Sequence, residues 1–417
     1  MSTPEPSPAA DAAASGTPAE ELAAPTVSRA YVCQCGRPVY LGNSQCLACG
    51  TPLGYVIERL GVVSLAPAAG SDDAYTVFDQ PGGQTYRRCA NFLTAAGCNW
   101  MVPVPPLSAA AEAHSHGLAE GFCLACSTTR TIPDLSVPGN DELWRKLERA
   151  KRRLLSQLLA LGLPVRTRFV DPAHGMTFDF LGSVPGQAPV MTGHHNGVVT
   201  LNAEEAEDAV RERIRAEMRE PYRTLLGHFR HEIGHFYWNV LVQDTPWLEG
   251  FRQLFGDETQ DYAAALRHHY DNGPPADWAL RCVTSYASTH PWEDWAETWA
   301  HYLHMADTAD TALSFGINAT NVELTSDLFG PADLWQPEHP GAGRFLDFLN
   351  GWVRLTGVLN ELSRSMGQPD FYPFVLPRAA VGKLQFIHEV ITAQREDTAA
   401  AVATSPPAEA PAPLSPA

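Results

Sequence analysis

The chain has 417 residues, 45% hydrophobic and 18% charged, enough for two or three domains with cores of their own. Asp and Glu outnumber Lys and Arg by 47 to 29, a formal net charge of −18. That balance excludes a chain whose main task is to wrap nucleic acid or lie on an anionic membrane, since both need a Lys/Arg surplus. No apolar run is long enough for a transmembrane helix. The N-terminal MSTPEPSPAADAAASG lacks the basic and apolar stretches of a secretory signal. A cytoplasmic location is expected, where cysteines serve more often as metal ligands than as disulfides.

Residues 1–28 and 397–417 are rich in Ala, Pro, Ser, Thr and Glu and read as disordered tails. Residues 29–135 hold every cysteine except Cys282, with many Gly and Pro, and read as a loop-rich, metal-stapled region. Cys33 and Cys35, then Cys46 and Cys49, form two knuckles, each followed by glycine. Four thiolates saturate a tetrahedral zinc ion and leave no open position, so this set predicts a structural site. Cys89, Cys98, Cys123 and Cys126 predict a second one, in which His114 or His116 could replace a thiolate. No βαβ pattern surrounds either CxxC, which argues against a redox motif.

From Asn140 the pattern becomes helical, and residues 136–396 read as one domain. DELWRKLERAKRRLLSQLLALG carries an amphipathic period that Gly162 and Pro164 stop. Short strands are expected over Arg166–Val170, Met176–Leu181 and Val190–Thr192. Asn196-Gly197 signals a hairpin turn before the β-branched run Val198–Asn202. Asn202 and Glu205 suggest a capping box, and Pro221 suits the first turn of the next helix. Further helices are expected over Gln260–Tyr270, Pro291–Met305, Arg344–Ser365 and Lys383–Gln394. The expected fold is α+β, mainly helical, with a small sheet before the central helix.

That central helix carries His231-Glu232-Ile233-Gly234-His235, an HExxH motif. Residues four apart share a helical face, so both imidazoles can reach one metal ion. Glu232 lies at the edge of that face, placed to act as general base on a water activated by zinc. The alternative is a pair of core histidines, which apolar surroundings would make costly. A hydrolytic zinc site needs a third protein ligand. Glu293, Glu297 and His301 are spaced by four on a helix that Pro291 starts. Glu293 is the chosen ligand, with Glu297 accepting the free N–H of a ligating His. Glu297 itself and Glu258 are rival ligands, and Asp257 or Glu258 could orient His235. Trp292, Trp295 and Trp299 interleave these carboxylates, so the helix should be packed on two sides. Tyr286 could donate to a developing oxyanion or be an ordinary core tyrosine. Val198–Asn202 could be an edge strand that pairs with an extended peptide, or an inner member of the sheet. His194, His195, His268, His269 and His304 read as surface or satisfied core groups, while His301 could line the site. Cys282 reads as a small buried hydrophobe.

CQCG…CLACG, the second cysteine set, TGHHNGVVTLNAEEAED, REPYRTLLGHFRHEIGHFYW, LFGDE and HPWEDWAETWAHYLH together resemble a bacterial family of zinc-binding metallopeptidases with an N-terminal zinc ribbon. The similarity spans roughly residues 30–390. The order HExxH, Tyr286, Glu293-x-x-x-Glu297 also resembles the gluzincin pattern of lethal-factor-like proteases. That resemblance implies that Glu293 ligates zinc, Glu297 supports a ligand His and Tyr286 assists at the oxyanion. The expected domain is zincin-like with one catalytic zinc, and the cysteine sets would hold up to two structural zinc ions. The expected partner is a peptide or protein substrate, and the ribbons could recruit a further partner; neither membrane nor nucleic acid is expected. Two other readings stay open: a ribbon adaptor whose HExxH site is vestigial, and a zinc hydrolase acting on another amide.

Overall fold

The computed structural model describes residues 27–404 apart from 72, 109–110, 113–116, 184–185, 187, 189, 219 and 324–327. The two expected tails lie largely outside the described residues, as do His114 and His116.

The cysteine-rich region is more regular than its composition suggests. β1 (Tyr31–Val32) pairs antiparallel with β2 (Pro38–Val39). An antiparallel five-stranded meander follows: β3 (Leu53–Val56), β4 (Gly61–Pro67), β5 (Ala74–Val77), β6 (Thr85–Arg88) and β7 (Met101–Val104). The sequence predicts loops there because these strands are short and carry Gly, Pro and Arg, which blur the period of two. Gly36 and Gly50 close the two knuckles with positive φ of 81° and 75°. That conformation places their N–H groups on the carbonyls of Cys33 and Cys46, both at 2.8 Å.

The helix α1 (Leu124–Ser127) leads into β8 (Thr129–Thr131). β8 pairs parallel with β9 (Thr177–Leu181), which pairs parallel with β11 (Val198–Asn202); β11 pairs antiparallel with β10 (Gly193–His195). The sheet order is β10-β11-β9-β8. A boundary at residue 136 therefore cuts β8 from the sheet it completes. The same continuous core runs from Tyr55 and Trp100 in the ribbon region, through Trp144, Leu147 and Leu154, to Trp299. Arg152 ties the two regions again by donating to the carbonyl of Ala96 at 2.9 Å.

Asn196 and Gly197 make the predicted hairpin turn with φ of 47° and 78°. Arg166–Val170 and Val190–Thr192 are not strands. Thr192 instead uses its hydroxyl to accept from the Asn202 N–H and to donate to Glu205. Glu205 is thus engaged with Thr192 and does not close a capping box; Asn202 caps a 3₁₀ turn, Ala203–Ala206, alone.

The helices are α2 (Asn140–Ala160), α3 (Asp208–Glu217), α4 (Leu225–Tyr237), α5 (Trp247–Phe255), α6 (Tyr262–Asn272), α7 (Trp278–Arg281), α8 (Pro291–Ser314), α9 (Ala342–Ser365) and α10 (Arg378–Thr404). α4 begins four residues after Pro221 because the Thr224 hydroxyl accepts from the Gly227 N–H at 3.0 Å and sets the cap there. It continues into a π-helical turn, Trp238–Val242. Pro291 opens α8 as expected, with His290 as N-cap. α10 runs on to Thr404, past residue 396 where composition placed the end of the folded domain. The whole is α+β: a strand-rich ribbon region before a mainly helical domain with a small sheet. Among the described residues no helix is long and apolar enough to cross a membrane.

Candidate metal centre and active site

α4 and α8 cross at a glycine. A Cβ on Gly234 would stand 3.0 Å from the Cα of Ala296 and 3.3 Å from the Cβ of Trp299. Trp295, fully buried, donates its indole N–H to the Gly234 carbonyl at 2.8 Å. Packing on both sides of α8 explains its tryptophans, since Trp295 and Trp299 are each 0% exposed. The close approach brings the carboxylates of α8 to the imidazoles of α4.

The donor atoms of His231, His235 and Glu293 all lie within 4.8 Å of one another. His231 Nε2 is 3.1 Å from one Glu293 oxygen, and His235 Nε2 is 3.6 Å from the other. Ligands about 2.0–2.1 Å from a tetrahedral ion stand about 3.4 Å apart, so the spacing fits a zinc ion. Glu293 is 1% exposed. Burial pushes its carboxyl up, but the neighbouring His235 and His231 imidazoles hold it well below the usual range. Its Oε2, which faces His231 Nε2, has no well-formed hydrogen bond among the described residues. An unsatisfied oxygen on a buried carboxylate is what a bound cation would resolve.

Glu297 accepts from His231 Nδ1 at 2.6 Å and, at its second oxygen, from the Thr284 hydroxyl at 2.7 Å. A carboxylate only accepts, so Nδ1 carries a proton; with a metal ion bound, Nε2 would be the nitrogen left to offer it a lone pair. Glu232 is buried beside the cluster. Desolvation lifts its carboxyl above the ordinary value, aided by the Glu293 charge and opposed by His231 and His235. The Tyr286 ring lies 6.0 Å from that of His231, in a 3₁₀ turn, Tyr286–Thr289. Burial, and then the Glu293 charge, push its phenol far up, so it stays a donor.

The rivals lie elsewhere. Glu258 is paired with Arg252, and Asp257 accepts from the Thr259 N–H and hydroxyl, so neither orients His235. His301 is buried one turn beyond Glu297 against Tyr372 and Phe374 and does not join the donor set. Cys282 sits in a small apolar cluster with Val283, Ala287 and Ala380. β11 is paired on both sides, so the edge of the sheet at the site is β10 and not Val198–Asn202. His194 on β10 faces His235 with ring centres 6.4 Å apart. Burial and the neighbouring imidazoles lower it to about 3, so it stays neutral. Sequence reasoning missed this role for His194, and it missed Thr284 and Tyr262. The Tyr262 hydroxyl donates to Glu293 Oε1 at 2.7 Å from 31 residues away, a separation that leaves no periodic signal.

Both cysteine sets converge. Cys33 and Cys49 sulfurs are 3.6 Å apart, Cys35 and Cys46 3.8 Å, and Cys98 and Cys123 3.6 Å. In each set all four sulfurs lie within 4.8 Å of one another, and none is disulfide-bonded. Thiolates about 2.3 Å from a tetrahedral zinc ion stand about 3.8 Å apart. The ribbon region joins the four-stranded sheet at β8, the edge opposite β10 and the His231 site.

The buried His and Glu donors and the two four-cysteine clusters before them are donor sets suited to zinc. The chain belongs to the family described as "Putative zinc-binding metallo-peptidase", whose model matches residues 140–390, and a zinc-ribbon domain model matches residues 30–137. It is 41% identical over 359 residues to uncharacterized proteins of Mycobacterium bovis and Mycobacterium tuberculosis, covering 86% of this chain and 93% of each relative. No solved structure matches.

Proposed function

We propose that the protein is a zinc-dependent metallopeptidase of gluzincin type, with one catalytic and two structural zinc ions. The observation that carries this reading is the convergence of His231, His235 and Glu293 on one buried point with Glu232 beside it. These three would hold the catalytic ion, and the two cysteine sets would hold the structural ones. Zinc supplies Lewis-acid polarisation of a water molecule and of a peptide carbonyl. Glu232 takes the proton from the water as it attacks and passes it to the leaving amine nitrogen. Glu297 fixes the tautomer and ring plane of His231. The Tyr286 hydroxyl donates to the carbonyl oxygen as negative charge develops there. An extended substrate would add to the open edge of β10, where backbone pairing gives affinity without dictating side chains.

An intact set of donors, a buried base and an ordered supporting carboxylate favour this over a vestigial site. A recruiting role for the ribbons is compatible with it: Leu47, between Cys46 and Cys49, is 96% exposed. Metal content tests the assignment. Wild type should hold three zinc ions per chain, and a His231→Ala, His235→Ala double variant two. Three ions in the double variant would remove the catalytic site from its proposed place.

A further inference from the structure

The two cysteine sets differ in what covers them. In the second, Cys89, Cys98, Cys123 and Cys126 are all buried, at 5% exposure or less. In the first, Cys33 and Cys46 are buried while Cys35 and Cys49 are exposed. The turns that carry the exposed pair, residues 34–38 and 47–50, are exposed throughout. A small oxidant in solution therefore reaches Cys35 and Cys49 without any opening of the fold. Reaching the second set requires local unfolding of the core around it.

Each exposed sulfur also has a buried one beside it. Cys49 stands 3.6 Å from Cys33, and Cys35 stands 3.8 Å from Cys46. A reactive outer thiol with a resolving thiol at its side is the arrangement that turns oxidation into a disulfide.

We propose that Cys33, Cys35, Cys46 and Cys49 form an oxidation site for hydrogen peroxide, which converts them into two disulfides, Cys33–Cys49 and Cys35–Cys46, while the second set stays reduced. The exposed thiolate attacks one peroxide oxygen; the O–O bond breaks, hydroxide leaves and the sulfur becomes a sulfenic acid. The buried thiolate beside it attacks that sulfur; the S–S bond forms, the S–O bond breaks and a second hydroxide leaves. Each disulfide thus takes two electrons from two thiolates and reduces one peroxide to two hydroxides, which become water on protonation. Metal ligation needs the thiolate, so oxidation would discharge the zinc ion of this set. That consequence rests on the reading of the first set as a zinc site; the oxidation rests on exposure and sulfur spacing.

Zinc-loaded full-length protein is treated with hydrogen peroxide, and samples are quenched over time with an alkylating agent. Mass spectrometry maps the disulfides and the alkylated cysteines, and a chromophoric indicator reads free zinc. Cys33–Cys49 and Cys35–Cys46 should form at least about tenfold faster than thiols are lost at Cys89, Cys98, Cys123 and Cys126, since access controls the rate. Zinc should appear in step with these disulfides, and a dithiol reductant with added zinc should reverse both changes. Equal rates in the two sets would overturn the proposal. So would conversion of the first set to sulfinic or sulfonic acids without disulfides. Disulfides that form without zinc release would defeat the zinc reading and leave the oxidation standing.

Discussion

Gly234 and Ala296 touch where the two site-bearing helices cross: a Cβ on Gly234 would stand 3.0 Å from the Ala296 Cα. The atom in the way belongs to backbone, so a methyl group must push α8 off α4. Gly234→Ala should cost about 1–3 kcal/mol of stability, the range for overpacking a filled core. It should also weaken zinc binding, because Glu293 moves with α8. Chemical denaturation and a zinc competition titration check both effects. An Ala variant as stable as wild type with unchanged affinity would show that the crossing does not set the site.

Glu297 acts on the metal through His231. Glu297→Gln keeps the size but offers a weaker, uncharged acceptor to the Nδ1–H. Zinc affinity at the three-ligand site should fall between 10- and 100-fold, about what loss of such a supporting partner costs elsewhere. Competition against a chelator of known affinity measures it, with the cysteine sites serving as internal controls.

Asp307 on α8 meets three guanidinium groups: Arg153 at 2.8 Å, Arg230 at 2.9 Å and Arg29 at 3.2 Å. Burial raises its carboxyl, but Arg230, Arg153 and Arg29 together bring it below the ordinary value. A folded-state value below the unfolded one means stability that is fully present above the unfolded value, about pH 4, and lost as pH falls through the folded one. Asp307→Asn should therefore cost about 3–5 kcal/mol at pH 7, where it strands buried cations. The gap from wild type should narrow as pH drops below about 4. Urea titrations at several pH values test the sign; a gap that widens on acidification would contradict it.

The ribbons and the helical domain share one core, and β8 belongs to the domain's sheet. Cys46→Ser should remove one zinc ion and lower the thermal midpoint of the whole chain rather than melt a separate module. Two well-separated transitions in calorimetry would contradict the shared core.

Much of the site was legible because helical spacing is a strong signal. His231 and His235, like Glu293 and Glu297, are four apart, which puts each pair on one face before any tertiary structure is known. The tryptophans between the carboxylates announced that their helix was packed on two sides. What stayed hidden depended on contacts without periodicity. Tyr262 reaches Glu293 from another helix. The strands β3 to β7 are mostly four residues long, too short for alternation to stand out. β8 joins its sheet by parallel pairing with a strand beyond the whole of α2, so nothing local marks it as part of the second domain. The hairpin at Asn196-Gly197 was legible, but which of its strands forms the sheet edge depends on β9 taking the far side of β11.

Glu232 is proposed as the base of a metal-dependent peptide hydrolysis. The most direct measurement is cleavage of a diverse peptide mixture by zinc-loaded wild type and zinc-loaded Glu232→Gln, read by mass spectrometry. New peptide termini are expected with wild type, and a loss of at least about 100-fold with the variant, the lower end of what general acid–base catalysis contributes. Cleavage by Glu232→Gln at the wild-type rate would contradict it.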